Sequence, residues 1–158
     1  MAQRLNYFQA SPSALTQLIN AEKYIASCIM EKQNLDHKLV ELVKMRVSQI
    51  NGCAYCLDMH SKDARAIGET EQRLHALIAW RETNFYTEKE CQALAWAEAN
   101  TLIHQQEISD DLYASVRQYF SEEQLVDLTL IITTINSWNR IALSFKPEVG
   151  SYQVGDFS

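Results

Sequence analysis

The chain contains few of the residues that interrupt helices. Among its 158 residues there are only four glycines and two prolines, and the apolar residues recur at intervals of three and four instead of alternating. That interval is the period of an amphipathic helix, whereas a half-buried strand would alternate apolar and polar residues. The sequence therefore predicts an all-α protein.

The chain also lacks an excess of positive charge. Twenty acidic residues outnumber fourteen basic ones, which gives a formal net charge of -6 at pH 7, and Lys and Arg form no cluster beyond scattered pairs. Binding to nucleic acid or to an anionic membrane depends on clustered basic side chains. We therefore expect neither nucleic acid nor a membrane as a partner.

Long apolar runs are missing as well. Runs such as LTLIITTI at 128–135 are too short to span a membrane, and the polar start MAQRLNYFQASPS lacks the apolar segment of a secretory signal. The sequence thus predicts a soluble, cytoplasmic protein. Since that compartment is reducing, its four cysteines are poor material for a permanent disulfide framework, and a close pair favours catalysis or metal binding.

The helical pattern divides the chain into seven predicted helices within one domain, residues 1–158. A chain of this length can bury a sufficient core without several disulfides. The first helix follows Ser11 as a cap and Pro12 at the first helical position, and the second covers LDHKLVELVKMRVSQI. We expect the helical core to cover about residues 12–145 and the tail, 146–158, to be irregular.

Asn51 and Gly52 end the second predicted helix, because both residues tolerate left-handed backbone angles. A third helix is predicted to begin at or just before Cys53 and to run to Gly68, a suitable residue after a helix end. Four further helices follow. The last of them is apolar almost all round from Leu125 to Ile135, so it should lie centrally or at an oligomer interface.

Two cysteines and a histidine share one stripe of the third predicted helix. Cys53, Cys56 and His60 are spaced by three and four residues, so their side chains are neighbours on the helix surface. Both cysteines fall in the first turn, where unpaired N–H groups and the helix dipole favour a thiolate. His60 stands one turn beyond Cys56 and can take its proton directly or through a water. The spacing predicts a reactive dithiol with its own general base.

Glu41 on the second predicted helix is the candidate partner of His60. With about 1.5 Å of rise per residue, Glu41 lies roughly 16 Å before the Gly52 turn and His60 roughly 12 Å after it. A tight antiparallel hairpin would bring the two side chains close to level. A proton relay from Cys56 through His60 to Glu41 is then feasible, provided that the rotation of the second helix turns Glu41 toward the third.

Other roles stay open for these four residues. Together they could bind zinc, although a structural zinc site usually takes its second ligand pair from another short-spaced motif, and none exists here. The two thiols could also be small buried residues, which would make an odd core beside a histidine at a helix start. Redox chemistry is the favoured interpretation. Cys28 and Cys91 stand alone on their helices and are expected to be inert.

The whole pattern resembles the core motif of a known family. Glu41, eleven intervening residues, the sequence CAYC at 53–56, three more residues and His60, followed by Ala64 and Gly68, are similar to the alkylhydroperoxidase AhpD-like branch of the carboxymuconolactone decarboxylase family. The resemblance is tightest over the second and third predicted helices and extends to INSWNRIA near the end of the last helix. It implies a compact AhpD-like helical domain.

Carried over by position, the resemblance implies a thiol-dependent peroxidase that reduces organic hydroperoxides without a cofactor or a metal. In the family the second cysteine attacks the peroxide, so Cys56 would be peroxidatic and Cys53 resolving, with His60 and Glu41 relaying the proton. By analogy with thioredoxin the first cysteine could attack instead. The decarboxylase branch of the family lacks the cysteine pair, which argues against lactone decarboxylation in this chain.

The resemblance also implies partners. Well-characterised AhpD proteins are reduced by a lipoylated subunit, so we expect a lipoylated or thioredoxin-like protein as the thiol reductant. Tyr55 stands where those proteins have a histidine, and this difference bears on catalytic efficiency and on the reductant. A homo-oligomer, commonly a trimer or hexamer, is implied as well. The alternative functions are a general thiol–disulfide oxidoreductase and a non-catalytic redox sensor.

Overall fold

A computed structural model describes residues 3–157, and within this range the chain forms helices and no strand. The prediction of an all-α fold is confirmed. The elements, in chain order, are α1 (Tyr7–Ala10), α2 (Pro12–Met30), α3 (His37–Asn51), α4 (Ala54–Ala66), α5 (Glu71–Ala76), a 3₁₀ helix (Leu77–Glu82), α6 (Glu88–Thr101), α7 (Asp110–Arg117) and α8 (Glu122–Phe145).

The predicted helix count is corrected from seven to eight α-helices over the described range, and the cysteine pair therefore stands at the start of the fourth α-helix, not the third. The additional helix is α1, whose four residues are too few to show a helical period. It forms because Asn6 caps it, its side chain accepting a hydrogen bond from the Gln9 N–H at 3.1 Å.

The break between α3 and α4 has the predicted cause. Gly52 adopts a left-handed conformation with φ of 69°, and its N–H bonds to carbonyls in the last turn of α3. Cys53 is then the N-cap of α4, and its N–H donates to the Ser48 carbonyl at 3.0 Å. These bonds reverse the chain at once, so α3 and α4 form a tight hairpin.

Helix α3 lies at the centre of the molecule and packs against α4, α6 and α8. Val40, Val43 and Val47 on α3 are fully buried, as are Leu128 and Ile132 on α8. Helix α8, the last helix, therefore has the central position that was one of its two predicted placements. Burial of its apolar face offsets the weak helix propensity of its β-branched residues. None of the helices in residues 3–157 is both long enough and apolar enough to cross a membrane.

Beyond α8 the chain turns back over the hairpin. This C-terminal segment, residues 146–157, contains turns but no helix. It begins at Lys146, which has a left-handed φ of 51°, and it buries Tyr152. The segment is thus irregular in secondary structure while one of its side chains joins the interior.

Candidate active site

The two cysteines at the start of α4 form a disulfide. Their Cα atoms are 5.4 Å apart, within the range that a disulfide can bridge. Cys53 and Cys56 are only 1% and 2% exposed, and the Cys56 N–H donates to the Cys53 sulfur at 3.4 Å. Cys28 and Cys91 are free thiols. The structure therefore pairs the two cysteines that the spacing singled out.

A buried amide network fixes the turn that carries this pair. Asn139 on α8 donates from Nδ2 to the Ser48 hydroxyl at 3.1 Å and accepts at Oδ1 from Asn51 at 2.8 Å. Ser48 is the residue whose carbonyl receives the Cys53 N–H. Helix α8 thus holds the end of α3 and the start of α4 together, and the segment INSWNRIA gains a structural role.

Glu41 faces α4 and contacts His60. The distance between Glu41 Oε2 and His60 Nδ1 is 2.9 Å, and each residue is 4% exposed. The helix rotation left open by the sequence therefore turns Glu41 toward His60. Burial by itself raises the pKa of the Glu41 carboxyl, but the charge and hydrogen bond of His60, together with the charge of Lys44, outweigh burial and lower that pKa below its ordinary value.

The second ring nitrogen of His60 is positioned to act as an acceptor. When a neutral imidazole donates from Nδ1 to the Glu41 carboxylate, its Nε2 carries a lone pair. His60 Nε2 is buried and has no hydrogen-bond partner in the part of the chain that the structure describes. Helical side chains lean toward the N-terminus, and the residue one turn before His60 is Cys56. A reduced Cys56 thiol would be a suitable donor to this nitrogen.

Three further residues complete the polar cluster around His60. Lys44 on α3 is buried and donates from Nζ to Glu22 Oε2 on α2 at 2.9 Å. Asp63 lies one turn beyond His60 on α4, and Tyr152 of the C-terminal segment donates from its hydroxyl to Asp63 Oδ1 at 2.7 Å. Sequence reasoning missed all three. The i, i+3 spacing from Glu41 to Lys44 and from His60 to Asp63 was a usable signal, whereas Tyr152 offered none.

Glu41, His60 and Asp63 also form a possible metal-binding group, since one donor atom from each lies within 4.8 Å of the others. This set differs from the zinc site considered above, because it replaces the two cysteines by one carboxylate. Disulfide sulfurs are not the thiolates that zinc binds. Burial by itself lowers the pKa of the Lys44 ammonium, but the charges of Glu22 and Glu41 outweigh burial and raise that pKa. Lys44 therefore stays charged and already supplies a cation to this group of carboxylates.

Tyr55, between the two cysteines, is half-buried and packs against the main core. Burial, followed by the carboxylates of Asp156 and Asp58, raises the pKa of its phenol. Tyr55 is therefore neutral at physiological pH and does not replace a titrating histidine. Two surface cavities of about 430 and 360 Å³ lie elsewhere, and neither is lined by Tyr55 or by the cysteines.

Fold and site together define a small helical dithiol protein in which a buried Glu–His pair stands behind the cysteines. The chain belongs to the carboxymuconolactone decarboxylase family, whose sequence profile matches residues 12–99, more than half of its length. The motif places it with the AhpD-like members of that family.

One relative is the uncharacterized protein YdfG of Bacillus subtilis (strain 168), which is 46% identical over 151 residues, covering 96% of this chain and 99% of that protein. A crystal structure of a protein of unknown function from Agrobacterium tumefaciens, suggested to be the antioxidant defence protein AhpD, has a TM-score of 0.88 and 39% identity over 96% of this chain and 100% of that one. The debrominase Bmp8 shares the fold, with a TM-score of 0.78 at 22% identity over 91% and 75% of the two chains.

Proposed function

We propose that this protein is a thiol-dependent peroxidase that reduces organic hydroperoxides through Cys53 and Cys56, with His60 and Glu41 as the proton relay. The observation that carries the proposal is the buried 2.9 Å contact between Glu41 and His60, on the helix whose first turn holds the cysteine pair. An inert pair of small core residues would have no need of a buried base with a carboxylate behind it. Positioned bases of this kind raise the reactivity of a thiol.

The first step oxidises one thiol. His60 Nε2 takes the proton of Cys56, and the resulting thiolate attacks the outer oxygen of the hydroperoxide. A sulfur–oxygen bond forms while the oxygen–oxygen bond breaks, and the leaving alkoxide takes a proton from the imidazolium. The products are an alcohol and a sulfenic acid on Cys56. Glu41 stabilises the imidazolium between these two transfers.

The second step closes the disulfide. The thiolate of Cys53 attacks the sulfur of the Cys56 sulfenic acid, the disulfide bond forms, and the hydroxyl leaves as water after protonation. The two electrons that reduce the peroxide thus come from the two thiols. An external dithiol then exchanges with the disulfide and restores both thiols. The disulfide found in the structure corresponds to the product of this step.

Cys56 is assigned as the attacking residue because it precedes His60 by one helical turn. Exposure does not favour Cys53, since both sulfurs belong to buried residues. The N–H that Cys56 donates to the Cys53 sulfur would stabilise a thiolate on Cys53. This contact suits a resolving cysteine, which must also become a thiolate before it attacks.

The burial of both cysteines bears on the partners. A small hydroperoxide needs only a narrow opening, whereas a general oxidoreductase must admit the disulfide of another protein in line with its own sulfur. This favours the peroxidase over a general thiol–disulfide oxidoreductase. For the same reason a lipoyl group on a slender arm suits the reductant better than the broader surface of a thioredoxin-like protein.

We also propose that the protein acts as a homo-oligomer, a trimer or a hexamer. Helix α8 leaves Val126 and Leu143 exposed, and Phe8 and Phe157 add apolar surface on α1 and on the C-terminal segment. Burying such side chains between subunits would contribute about 25 cal/mol for each Å² of apolar area removed from water. Light scattering on the purified protein measures the subunit number directly.

The test of the peroxidase function maps each cysteine after oxidation. The fully reduced protein is treated with one equivalent of an organic hydroperoxide, then alkylated, digested and examined by mass spectrometry. We expect Cys53 and Cys56 to be joined within one chain while Cys28 and Cys91 are alkylated. Burial raises the pKa of both the Cys28 and the Cys91 thiols, which makes them poor nucleophiles. No oxidation, or a different pairing, rejects the proposal.

A further inference from the structure

We propose that Asp63 is an additional positioning residue of this site and that Tyr152, from the C-terminal segment, holds it beside His60. Together they would stabilise the positive charge that His60 carries after it takes the proton of Cys56. This inference rests on the proposed function in one respect, namely that His60 accepts the proton of Cys56. It gives the C-terminal segment a part in the chemistry.

Tyr152 is bound to α4 at two points. Its hydroxyl donates to Asp63 Oδ1 at 2.7 Å, and the residue is only 5% exposed. Burial and the bond to Asp63 both raise the pKa of the Tyr152 phenol, so the hydroxyl keeps its proton and donates it. The neighbouring Lys62 donates from Nζ to the Tyr152 carbonyl at 2.9 Å. Lys62 and Asp63, which are adjacent on α4, therefore bind the backbone carbonyl and the side-chain hydroxyl of Tyr152.

Aromatic packing fixes the same segment against the rest of the protein. The rings of Tyr152 and Phe157 stack with centroids 5.7 Å apart, and Phe157 stacks on Phe8 of α1 at 6.2 Å. The ring centroids of Phe8 and Trp138 of α8 are in turn 6.3 Å apart. Tyr152 thus reaches Asp63 from a segment that is braced by two other helices, which limits the freedom of the Asp63 carboxylate.

The charges around His60 explain why a second carboxylate matters. Helix α3 contributes Glu41, Lys44 and His37, helix α2 contributes Glu22, helix α4 contributes Asp63, and the C-terminal segment contributes the neutral Tyr152. One donor atom from each of Glu41, His60 and Asp63 lies within 4.8 Å of the others. Two carboxyl groups therefore stand beside the positive charge that His60 takes on when Cys56 loses its proton.

Asp63 is itself a half-buried carboxyl whose charge needs support. Burial raises the pKa of Asp63 above its ordinary value, and Glu41 adds to this effect, while the hydrogen bond from Tyr152 and the charges of His60 and Lys44 oppose it. Without the Tyr152 hydroxyl the carboxylate would be less stable and free to turn away. Asp63 is one turn from His60 and two turns, about 10 Å, from Cys56, so its charge acts on the base more strongly than on the thiol.

The experiment measures the pH dependence of Cys56 reactivity without any peroxide. In a Cys53→Ser background, the rate of Cys56 alkylation by iodoacetamide is followed by mass spectrometry across a range of pH. We expect Asp63→Asn to raise the midpoint of this profile by about one pH unit, the lower end of the effect of a nearby opposite charge. Tyr152→Phe should raise it by a smaller amount, and Asp63→Glu should lie close to the parent.

Asp111→Asn is the control, because Asp111 is an exposed carboxylate on α7 that makes no contact with the cluster around His60. An unchanged midpoint in Asp111→Asn supports a local effect of Asp63. Equal shifts in both variants, or no shift in a folded Asp63→Asn protein, overturn the inference. Circular dichroism establishes folding. If the wild-type protein consumes no hydroperoxide while the expected pH shifts are found, the peroxidase proposal fails and this inference stands.

Discussion

The charge of Glu41 is the most direct point at which to perturb the proposed relay. Glu41→Gln keeps a side chain of the same shape and an oxygen that can accept the His60 N–H, but it removes the negative charge 2.9 Å from Nδ1. A buried opposite charge at this distance shifts a protonation equilibrium by about one to three powers of ten. We therefore expect Glu41→Gln to slow peroxide consumption at neutral pH by about 10- to 1000-fold.

His60→Gln removes the base itself, and the loss should reach about 10²–10⁴-fold, the usual contribution of a positioned general base. The two losses should not add, because both residues act on one proton, so the double variant should be little slower than His60→Gln alone. Raising the pH should partly rescue each variant, since hydroxide then makes the thiolate that the relay no longer supplies.

The assay is single-turnover oxidation of the reduced protein by an organic hydroperoxide, with Glu107→Gln as an exposed carboxylate control. Metal content and helical content are measured on each variant, because Glu41 and His60 also belong to the possible metal-binding group. Folded, metal-free variants with the expected losses would support the relay. A full rate in Glu41→Gln would refute the reasoning, and so would losses that multiply in the double variant.

Two other substitutions test the cysteine roles and the buried network. Cys53→Ser should let a sulfenic acid accumulate on Cys56, since the nucleophile remains and the resolving thiol is gone. Dimedone trapping and mass spectrometry detect it. The assignment would be reversed if Cys56→Ser gave a sulfenic acid on Cys53 while Cys53→Ser gave none on Cys56. Asn139→Ala should lower the free energy of unfolding by about 1–3 kcal/mol in urea titrations, because it unpairs buried polar groups at the α3–α4 turn. Ser137→Ala on the same helix is the control and should cost less; an equal loss would count against the network.

Local patterns were sufficient to predict the elements that carry the site. The helical period identified α3 and α4, and the left-handed preference of Gly52 located the turn between them. The short spacing of Cys53 and Cys56 allowed for their disulfide. Each of these features depends on residues close together in the chain, where helix geometry fixes the distances in advance.

Features that depend on distant residues were not predictable in the same way. The helical rise per residue predicts that Glu41 and His60 lie at similar heights along the α3–α4 hairpin. The rotation of α3, which decides whether Glu41 faces His60, depends on packing against α6 and α8. The contact between Tyr152 and Asp63 joins residues 89 positions apart and follows from the return of the C-terminal segment over α4. Helix α1 was missed because a single capped turn leaves no periodic signal.

The central claim is that the dithiol transfers two electrons to an organic hydroperoxide. The most direct measurement is the yield of alcohol and of Cys53–Cys56 disulfide when the reduced protein reacts with a limiting amount of hydroperoxide. We expect one alcohol for each disulfide formed, and neither product from a Cys56→Ser variant. Disulfide formation without alcohol, or peroxide that survives the incubation with the reduced protein, would contradict the account.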